Sequence, residues 1–218
     1  MDLQKRTWAE IDLDNIEHNY RTIKAGLPDG CRFLGVVKAD AYGHGAVPVA
    51  RCLEKAGADY LAVSCLDEAL ELRHAHVKLP ILILGHTPPE YVPVLIDEDI
   101  TQTVTCEAKA LEYSQMAAAH GGTLRIHIKL DTGMSRLGFL CGGEHFDLGV
   151  QNIISACKLP NILPEGIYTH FAVSDEPGKE AREYTLGQFK LFTDVIDAVE
   201  KTAVSDSVSG IAQTAELW

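Results

Sequence analysis

A lysine that directly follows an apolar run is the residue of this sequence best placed for covalent chemistry. Residues 33–37 predict a short buried strand, and Lys38 follows it before a turn and a helical pattern. In α/β proteins, ligands bind outside the carboxyl ends of the strands. Apolar surroundings favour the neutral, nucleophilic form of an amine. Lys38 is therefore suited to attack an aldehyde, of which pyridoxal phosphate is the obvious example, although a strand-end lysine can also simply extend to solvent.

Other residues with useful chemistry also lie at the ends of predicted strands. Lys129 ends the clearest alternating strand of the chain, Arg136 lies in the loop after it, and His170 ends the next strand. Leu84 ends an all-apolar strand, where it could form an apolar wall against a ring. Taken singly, these residues are equally typical of an ion-paired turn, a structural histidine and a core leucine. Several strand ends that meet at one edge of a sheet favour a functional site.

The segment Asp131-Thr132-Gly133 has a second interpretation, because it is similar to the DTG motif of aspartic proteases. Met134 stands where those enzymes have Ser or Thr, and no second motif of this kind occurs. The alternation of strands and helices also contradicts their all-β fold. The sequence therefore disfavours a protease.

The elements that would position these residues alternate along the chain. Runs of strand length occur at residues 33–37, 60–64, 81–84, 102–105, 124–130 and 165–171, and helical periodicity occurs at residues 46–56, 66–75, 88–96, 107–119, 146–157 and 181–201. This alternation predicts an α/β fold with a parallel sheet and helices outside it. About six βα units can be counted, whereas a closed barrel of this type needs eight.

The N-terminal segment departs from that alternation. Residues 7–13 alternate apolar and polar side chains as a half-exposed strand does. Asp14 is placed to cap a helix over residues 15–27, which ends before a Pro-Asp-Gly turn. We therefore expect one N-terminal strand followed by one amphipathic helix.

Composition argues against several classes of function. With 218 residues the chain is long enough for one sizeable core and short for two domains. Its formal net charge of −12 opposes binding to nucleic acid phosphates. The six cysteines form no CxxC pair, no His/Cys spacing suits a metal, and no run suits a membrane span or a secretory signal. We expect a cytoplasmic protein with reduced thiols and without metal, nucleic acid or membrane partners.

Two segments resemble motifs of one enzyme family. VVKADAYGHG, around Lys38, resembles the cofactor-lysine motif of bacterial alanine racemases, the fold-type III pyridoxal phosphate enzymes. KLDTGMSRLG, which begins at Lys129, is similar to a second segment of that family. The resemblance extends from about residue 8 to residue 201, and it implies pyridoxal 5′-phosphate as the cofactor.

The resemblance also implies a role for each candidate residue. Lys38 would bind the cofactor covalently and act as a catalytic base, and Tyr42 would hydrogen-bond the cofactor phosphate. Lys129, a position often carbamylated in the family, would position Arg136. Arg136 would donate to the phenolic oxygen of the cofactor and contact the substrate. His170, in a T-H-F-A context, would pack on the cofactor ring.

The resemblance further implies the fold and the reaction. The fold would be the (β/α)8 TIM-type barrel of the family, incomplete here, with residues 1–201 as the cofactor-binding barrel domain. Residues 202–218 would be a tail foreign to the family, and its C-terminal β domain would be absent. The family interconverts L-alanine and D-alanine, which supplies D-alanine for peptidoglycan. The lysine exchanges the Cα proton on one face, and a tyrosine from the second domain of the partner subunit exchanges it on the other. A homodimer is thus implied for the complete enzyme, and weak or lost activity for this chain.

The tail suggests how this departure arose. One nucleotide string that encodes residues 208–218 reads, two nucleotides later, as IRHCANSGAM. That translation contains the H-x-A-N-S segment of the family, at the place where the family has it. We therefore expect a frameshift near residues 202–207 that truncates an alanine racemase and leaves a barrel with open sheet edges.

Two other functions stay open at this point. A single-domain pyridoxal phosphate carrier has the same barrel, a similar length and no second domain. A serine racemase of the same fold would select its substrate mostly through residues that these 218 lack. The two motifs match the alanine racemases more closely than the carriers.

Overall fold

A computed structural model describes residues 7–203 and 212–216, and it divides the chain into two compact units, Met1–Leu82 and Ile83–Trp218. The first unit contains α1 (Leu13–Ala25), β1 (Leu34–Val36), α2 (Lys38–Gly43), α3 (Ala46–Ala56), β2 (Tyr60–Val63) and α4 (Leu66–His74). Strands β1 and β2 are parallel, with Leu34 opposite Tyr60 and Val36 opposite Ala62.

The second unit follows β3 (Ile81–Ile83), the strand at which the two units divide. It contains α5 (Val92–Asp97), β4 (Ile100–Val104), α6 (Glu107–His120), β5 (Leu124–Asp131), β6 (Phe139–Leu140), α7 (Phe146–Cys157), β7 (Ile162–His170), α8 (Lys179–Ala203) and β8 (Ala212–Glu216), with short 3-10 turns at Pro89–Tyr91 and Gly143–His145. Strand β5 pairs in parallel with β4 and β7, β6 pairs with the end of β5, and β8 pairs with β7.

The predicted alternation is confirmed in both units. Among the described residues, β1 to β4 and β7 are each followed by a helix, and β5 is followed by the short strand β6 and then by α7. The helices α3 and α7 begin and end at the predicted residues. Gly57 ends α3 with a φ of 97°, the left-handed conformation that favours glycine after a helix. The apolar face of each helix and the apolar strands together form the buried cores.

The prediction for the N-terminal segment is wrong in two respects. Residues 7–12 form no strand, and Trp8 is 70% exposed, because no described strand pairs with this segment. Asp12, rather than Asp14, caps α1, since its carboxylate accepts hydrogen bonds from the amides of Asp14 (2.9 Å) and Asn15 (3.4 Å). The helix therefore begins at Leu13.

The tail contains a strand that the sequence pattern did not predict. Residues 212–216 form β8, parallel to β7, with Gly166 opposite Ala212 and His170 opposite Glu216. Residues 204–211 and 217–218 lie outside the described residues, and most of the expectation of a frameshift falls on them. A strand of Ala, Gln, Thr and Glu carries no apolar alternation, so its pairing depends on backbone hydrogen bonds with β7.

A buried histidine and a glycine fix the contact between β5 and β7. His127 is 6% exposed, and it lies opposite Gly166 where the register of the two strands shifts. A Cβ atom on Gly166 would lie 2.7–2.9 Å from three ring atoms of His127. Burial lowers the pKa of His127 from 6.5 to about 4, so the ring is neutral at pH 7.

We predict that Gly166→Ala lowers the free energy of unfolding by about 1–3 kcal/mol, because the new methyl group overlaps the His127 ring. Gly187→Ala is the matched control, since a Cβ there meets no atom within 4 Å on helix α8. That control should stabilise the chain by up to about 1 kcal/mol through helix propensity. Urea denaturation measures both values, and an equal effect of the two substitutions would contradict the packing argument.

We also predict a pH dependence from His127. Because its folded pKa of about 4 lies below the unfolded value of 6.5, the unfolded chain binds the proton first, and stability falls as the pH drops from 6.5 towards 4. The loss should be about 2 kcal/mol between pH 7 and pH 5. The free energy of unfolding is measured by urea denaturation at each pH. His127→Gln should remove this part of its pH dependence, whereas substitution of the exposed His74 by Gln should leave the pH dependence unchanged.

Candidate active site

Lys38 lies directly beyond the carboxyl end of a parallel strand, as predicted. The Val37 amide donates to the Ala62 carbonyl at 2.8 Å, so the pairing of β1 with β2 continues to the residue before the lysine. Lys38 is partly buried, and its Nζ lies 5.9 Å from the ring centroid of Tyr42, which is 54% exposed. The first unit therefore brings together the amine and the phenol of the VVKADAYGHG motif.

The backbone between these two residues is left-handed. Residues 39–42 have φ values of 51–55°, and none of them is glycine. A left-handed turn costs an L-residue about 1–2 kcal/mol, so four in sequence need strong external support. Within the turn, the Ala41 amide donates to the Val37 carbonyl and the Gly45 amide to the Asp40 carbonyl, both at 2.9 Å. The sequence predicted a turn here but gave no sign of its hand.

Both carboxylates that support this turn were missed by the sequence analysis. The Asp40 carboxylate accepts a hydrogen bond from the Ala46 amide at 2.6 Å, which ties the end of the turn to the start of α3. The Glu68 carboxylate accepts one from the Ala39 amide at 2.8 Å, at the beginning of the turn. Both residues lie in the first turn of a helix, where acidic residues are common. Their contacts with the turn can therefore be recognised only in the structure.

The second unit contains the other candidate residues. Lys129 is buried near the end of β5, with its Nζ 5.5 Å from the centroid of the Tyr168 ring. Arg136 is exposed in the loop after β5. His170 is the last residue of β7 and Leu84 follows β3 directly, and both are partly exposed. Three of the four residues thus lie at or beyond the carboxyl end of a strand, and Lys129 lies two residues before the end of β5.

The loop that carries Arg136 is shaped by an aspartate and a glycine. The Asp131 carboxylate accepts hydrogen bonds from the amides of Gly133 (3.0 Å) and Ser135 (2.9 Å). Gly138 has a φ of 135°, and a Cβ there would lie 2.5 Å from the Asp131 nitrogen. Because the Asp131 carboxylate organises its own loop, the aspartate of this DTG sequence has a structural role and not that of a protease acid.

Gln188 of helix α8 connects the Arg136 loop with the end of β7. Its Nε2 donates to Thr132 Oγ1 and to the His170 carbonyl, each at 3.2 Å, and its Oε1 accepts from the Ala172 amide at 2.9 Å. Gln188 is 2% exposed. The sequence analysis missed this residue, although it lies four positions before Phe192 on the apolar face of α8. The neighbouring Phe189, although apolar, is exposed.

We predict that Gln188→Ala lowers the free energy of unfolding by about 2 kcal/mol or more, because it leaves a buried amide and a carbonyl without their partner. The amide of Ala172 should exchange faster with solvent. Substitution of the exposed Gln151 by Ala is the control and should change the stability by no more than about 0.5 kcal/mol. Equal effects of the two variants would show that the buried amide contributes nothing.

Comparison with known proteins identifies the family. The sequence profile described as "Alanine racemase, N-terminal domain" matches residues 11–217. The chain belongs to the alanine racemase family. A curated relative, alanine racemase 2 of Caldanaerobacter subterraneus subsp. tengcongensis, is 41% identical over 211 residues, which cover 97% of this chain and 53% of the relative.

Solved structures of alanine racemases agree with this assignment. The alanine racemase of Clostridium difficile 630 has a TM-score of 0.88 and 40% identity, covering 99% of this chain and 53% of that one. The same enzyme in complex with cycloserine has a TM-score of 0.85 and 39% identity, with 99% and 56% covered. The fold is thus that of the TIM-type barrel domain of alanine racemases. The chain spans about half the length of the relatives that it matches.

The alanine racemase family depends on pyridoxal 5′-phosphate, and the donor set of this chain fits that cofactor. An aldehyde requires an amine, which Lys38 supplies at the end of β1. The exposed Tyr42 hydroxyl and Arg136 guanidinium are hydrogen-bond donors suited to a phosphate and to a phenolic oxygen. The partly exposed His170 and Leu84 supply an imidazole and an apolar surface for a ring.

The described part of the chain contains neither a candidate metal cluster nor a candidate membrane-spanning helix. No cluster of three His, Cys, Asp or Glu residues that could hold a metal ion occurs among residues 7–203 and 212–216. None of the helices described there is long and apolar enough to cross a membrane.

Proposed function

We propose that this chain is the cofactor-binding half of a pyridoxal phosphate-dependent alanine racemase, with lost or weak racemase activity in the 218-residue form. The observation that carries the proposal is the position of Lys38 at the end of β1, with its amine 5.9 Å from the ring of Tyr42. This pair lies in the segment that resembles the cofactor-lysine motif, within the matched family domain.

Lys38 has two tasks in this proposal. Its amine would hold the cofactor covalently, and the same amine would remove or return the proton at the substrate Cα. Bound cofactor would supply an acceptor for the electron pair of the Cα–H bond.

The remaining residues orient the reactants. Tyr42 would donate a hydrogen bond from its hydroxyl to the cofactor phosphate, and Arg136 would donate hydrogen bonds to the phenolic oxygen of the cofactor and to the substrate. Lys129, which is buried near the end of β5 and which the family resemblance marks as a site of carbamylation, would position Arg136. His170 would pack on the cofactor ring, and Gln188 holds its carbonyl through a hydrogen bond.

The substrate that we propose is alanine. The related enzyme of Clostridium difficile has been solved with cycloserine, a small amino-acid-like molecule, which supports a site of that size. Serine remains the competing substrate, because the side chains that would separate a methyl from a hydroxymethyl group are not among the residues assigned here.

The activity of the 218-residue form follows from what the resemblance assigns to the second domain. The relatives are about twice as long, and the opposing tyrosine of the family belongs to the part that these residues do not match. Each general acid or base contributes about 10²–10⁴-fold to a rate, so racemisation without it should be lost or very slow. For the whole enzyme, we propose that it is a homodimer in the cytoplasm and that it supplies D-alanine for peptidoglycan.

The test of the proposal is covalent capture of the cofactor. The purified chain is incubated with pyridoxal phosphate, reduced with borohydride, digested and mapped by mass spectrometry. We expect the label on Lys38, its loss in Lys38→Ala, and its retention in Lys55→Ala, which alters an exposed lysine of α3. Equal labelling of exposed lysines in all three proteins would contradict the proposal.

A further inference from the structure

Glu68, in the first turn of α4, has no role in our proposed function, but it contacts the backbone next to Lys38. Its Oε1 accepts a hydrogen bond from the Ala39 amide at 2.8 Å, and Ala39 is the residue directly after Lys38. Its Oε2 accepts from both the amide and the hydroxyl of Ser64, each at 2.7 Å. The two oxygens of one carboxylate therefore connect two successive βα loops.

Ser64 anchors the carboxylate of Glu68. Ser64 follows β2 and fixes one oxygen with two hydrogen bonds, so the carboxylate cannot rotate away without losing both. Burial alone would raise the pKa of Glu68, but hydrogen bonds from Ser64 and Ala39 outweigh it and lower the pKa. The carboxylate is thus ionised at neutral pH, the state in which its hydrogen bonds with amides are strongest.

The Ala39 amide is the point at which the left-handed turn begins. Residues 39–42 all have positive φ, and such a conformation persists only where its surroundings determine it. Asp40 holds the far end of the turn through the Ala46 amide, and Glu68 holds the near end. The direction in which the chain leaves Lys38, and with it the position of Tyr42 relative to the lysine, depends on these two contacts.

We propose that Glu68 is a positioning residue for Lys38. Its carboxylate holds the Ala39 amide and keeps the left-handed turn in the orientation that presents the Lys38 amine and the Tyr42 hydroxyl to one cofactor molecule. This inference rests on the proposed function. It adds a residue that acts through the backbone next to the lysine and not by contact with the reactants.

The test compares Glu68→Gln with Glu71→Gln. Both substitutions remove one acidic charge from α4, but Glu71 is exposed. The glutamine at position 68 turns an NH2 group towards one of the two sets of donors, so one loop contact is lost. We expect amide exchange at Ala39 to accelerate about tenfold or more in Glu68→Gln, measured without cofactor, and no change in Glu71→Gln.

The second readout reports geometry. The rate of borohydride-trapped labelling at Lys38 is measured with pyridoxal phosphate and with pyridoxal, which lacks the phosphate. If Glu68 aligns Lys38 with Tyr42, Glu68→Gln lowers the preference for the phosphorylated form about tenfold at a temperature well below the melting point. A general loss of stability would instead accelerate exchange across α3 and slow both labels alike.

The outcomes separate the two proposals. A wild-type chain that shows no preferential labelling of Lys38 would contradict the proposed function, while exchange at Ala39 would still report whether Glu68 holds the turn. A Glu68→Gln chain with unchanged exchange at Ala39 and an unchanged phosphate preference would overturn the positioning role. If that variant does not fold, Ser64→Ala replaces it, since it removes only the hydroxyl contact that anchors the carboxylate, and the same two readouts must move in the same direction.

Discussion

The site in the first unit depends on a strained left-handed turn that contains no glycine. Four consecutive residues other than glycine have positive φ directly after Lys38. Hydrogen bonds that two carboxylates accept offset this strain: Asp40 accepts from the Ala46 amide at the end of the turn, and Glu68 accepts from the Ala39 amide at its beginning. The conformation is costly and specific, which is typical of a segment that must place a side chain and not merely reverse the chain. The position of the lysine beside Tyr42 follows from it.

The second unit holds its loops with the side chains of Gln188 and Asp131. Gln188 is buried, and its side-chain amide bonds the Thr132 hydroxyl, the His170 carbonyl and the Ala172 amide. Asp131 shapes the Arg136 loop through two amides. In both units the polar side chains that bear on the site act mainly on backbone groups. The residues assigned to chemistry, such as Lys38 and Arg136, are left exposed or partly exposed to meet a ligand.

The sequence predicted the strands and helices far better than it predicted the polar side chains that hold the loops between them. Apolar runs and helical periodicity give α3 and α7 to the residue, because these patterns reflect burial, which decides the fold. The predicted site residues lie near or beyond the carboxyl ends of strands, because the alternation of strands and helices in the sequence already indicated where each strand ends. The hand of the turn, Glu68 and Gln188 could not be predicted, since each depends on contacts between residues distant in sequence. The N-terminal strand failed because alternation alone does not supply a partner strand.

The central proposal is that Lys38 is the amine with which residues 1–218 exchange the Cα proton of alanine on one face. It is tested most directly by incubating L-alanine and D-alanine separately with the 218-residue chain and pyridoxal phosphate in D2O. Proton NMR follows loss of the Cα proton, and chiral chromatography follows the enantiomers. The account predicts exchange in one enantiomer, absent in Lys38→Ala, with little or no interconversion. Rapid interconversion, or no exchange in either enantiomer, would contradict it.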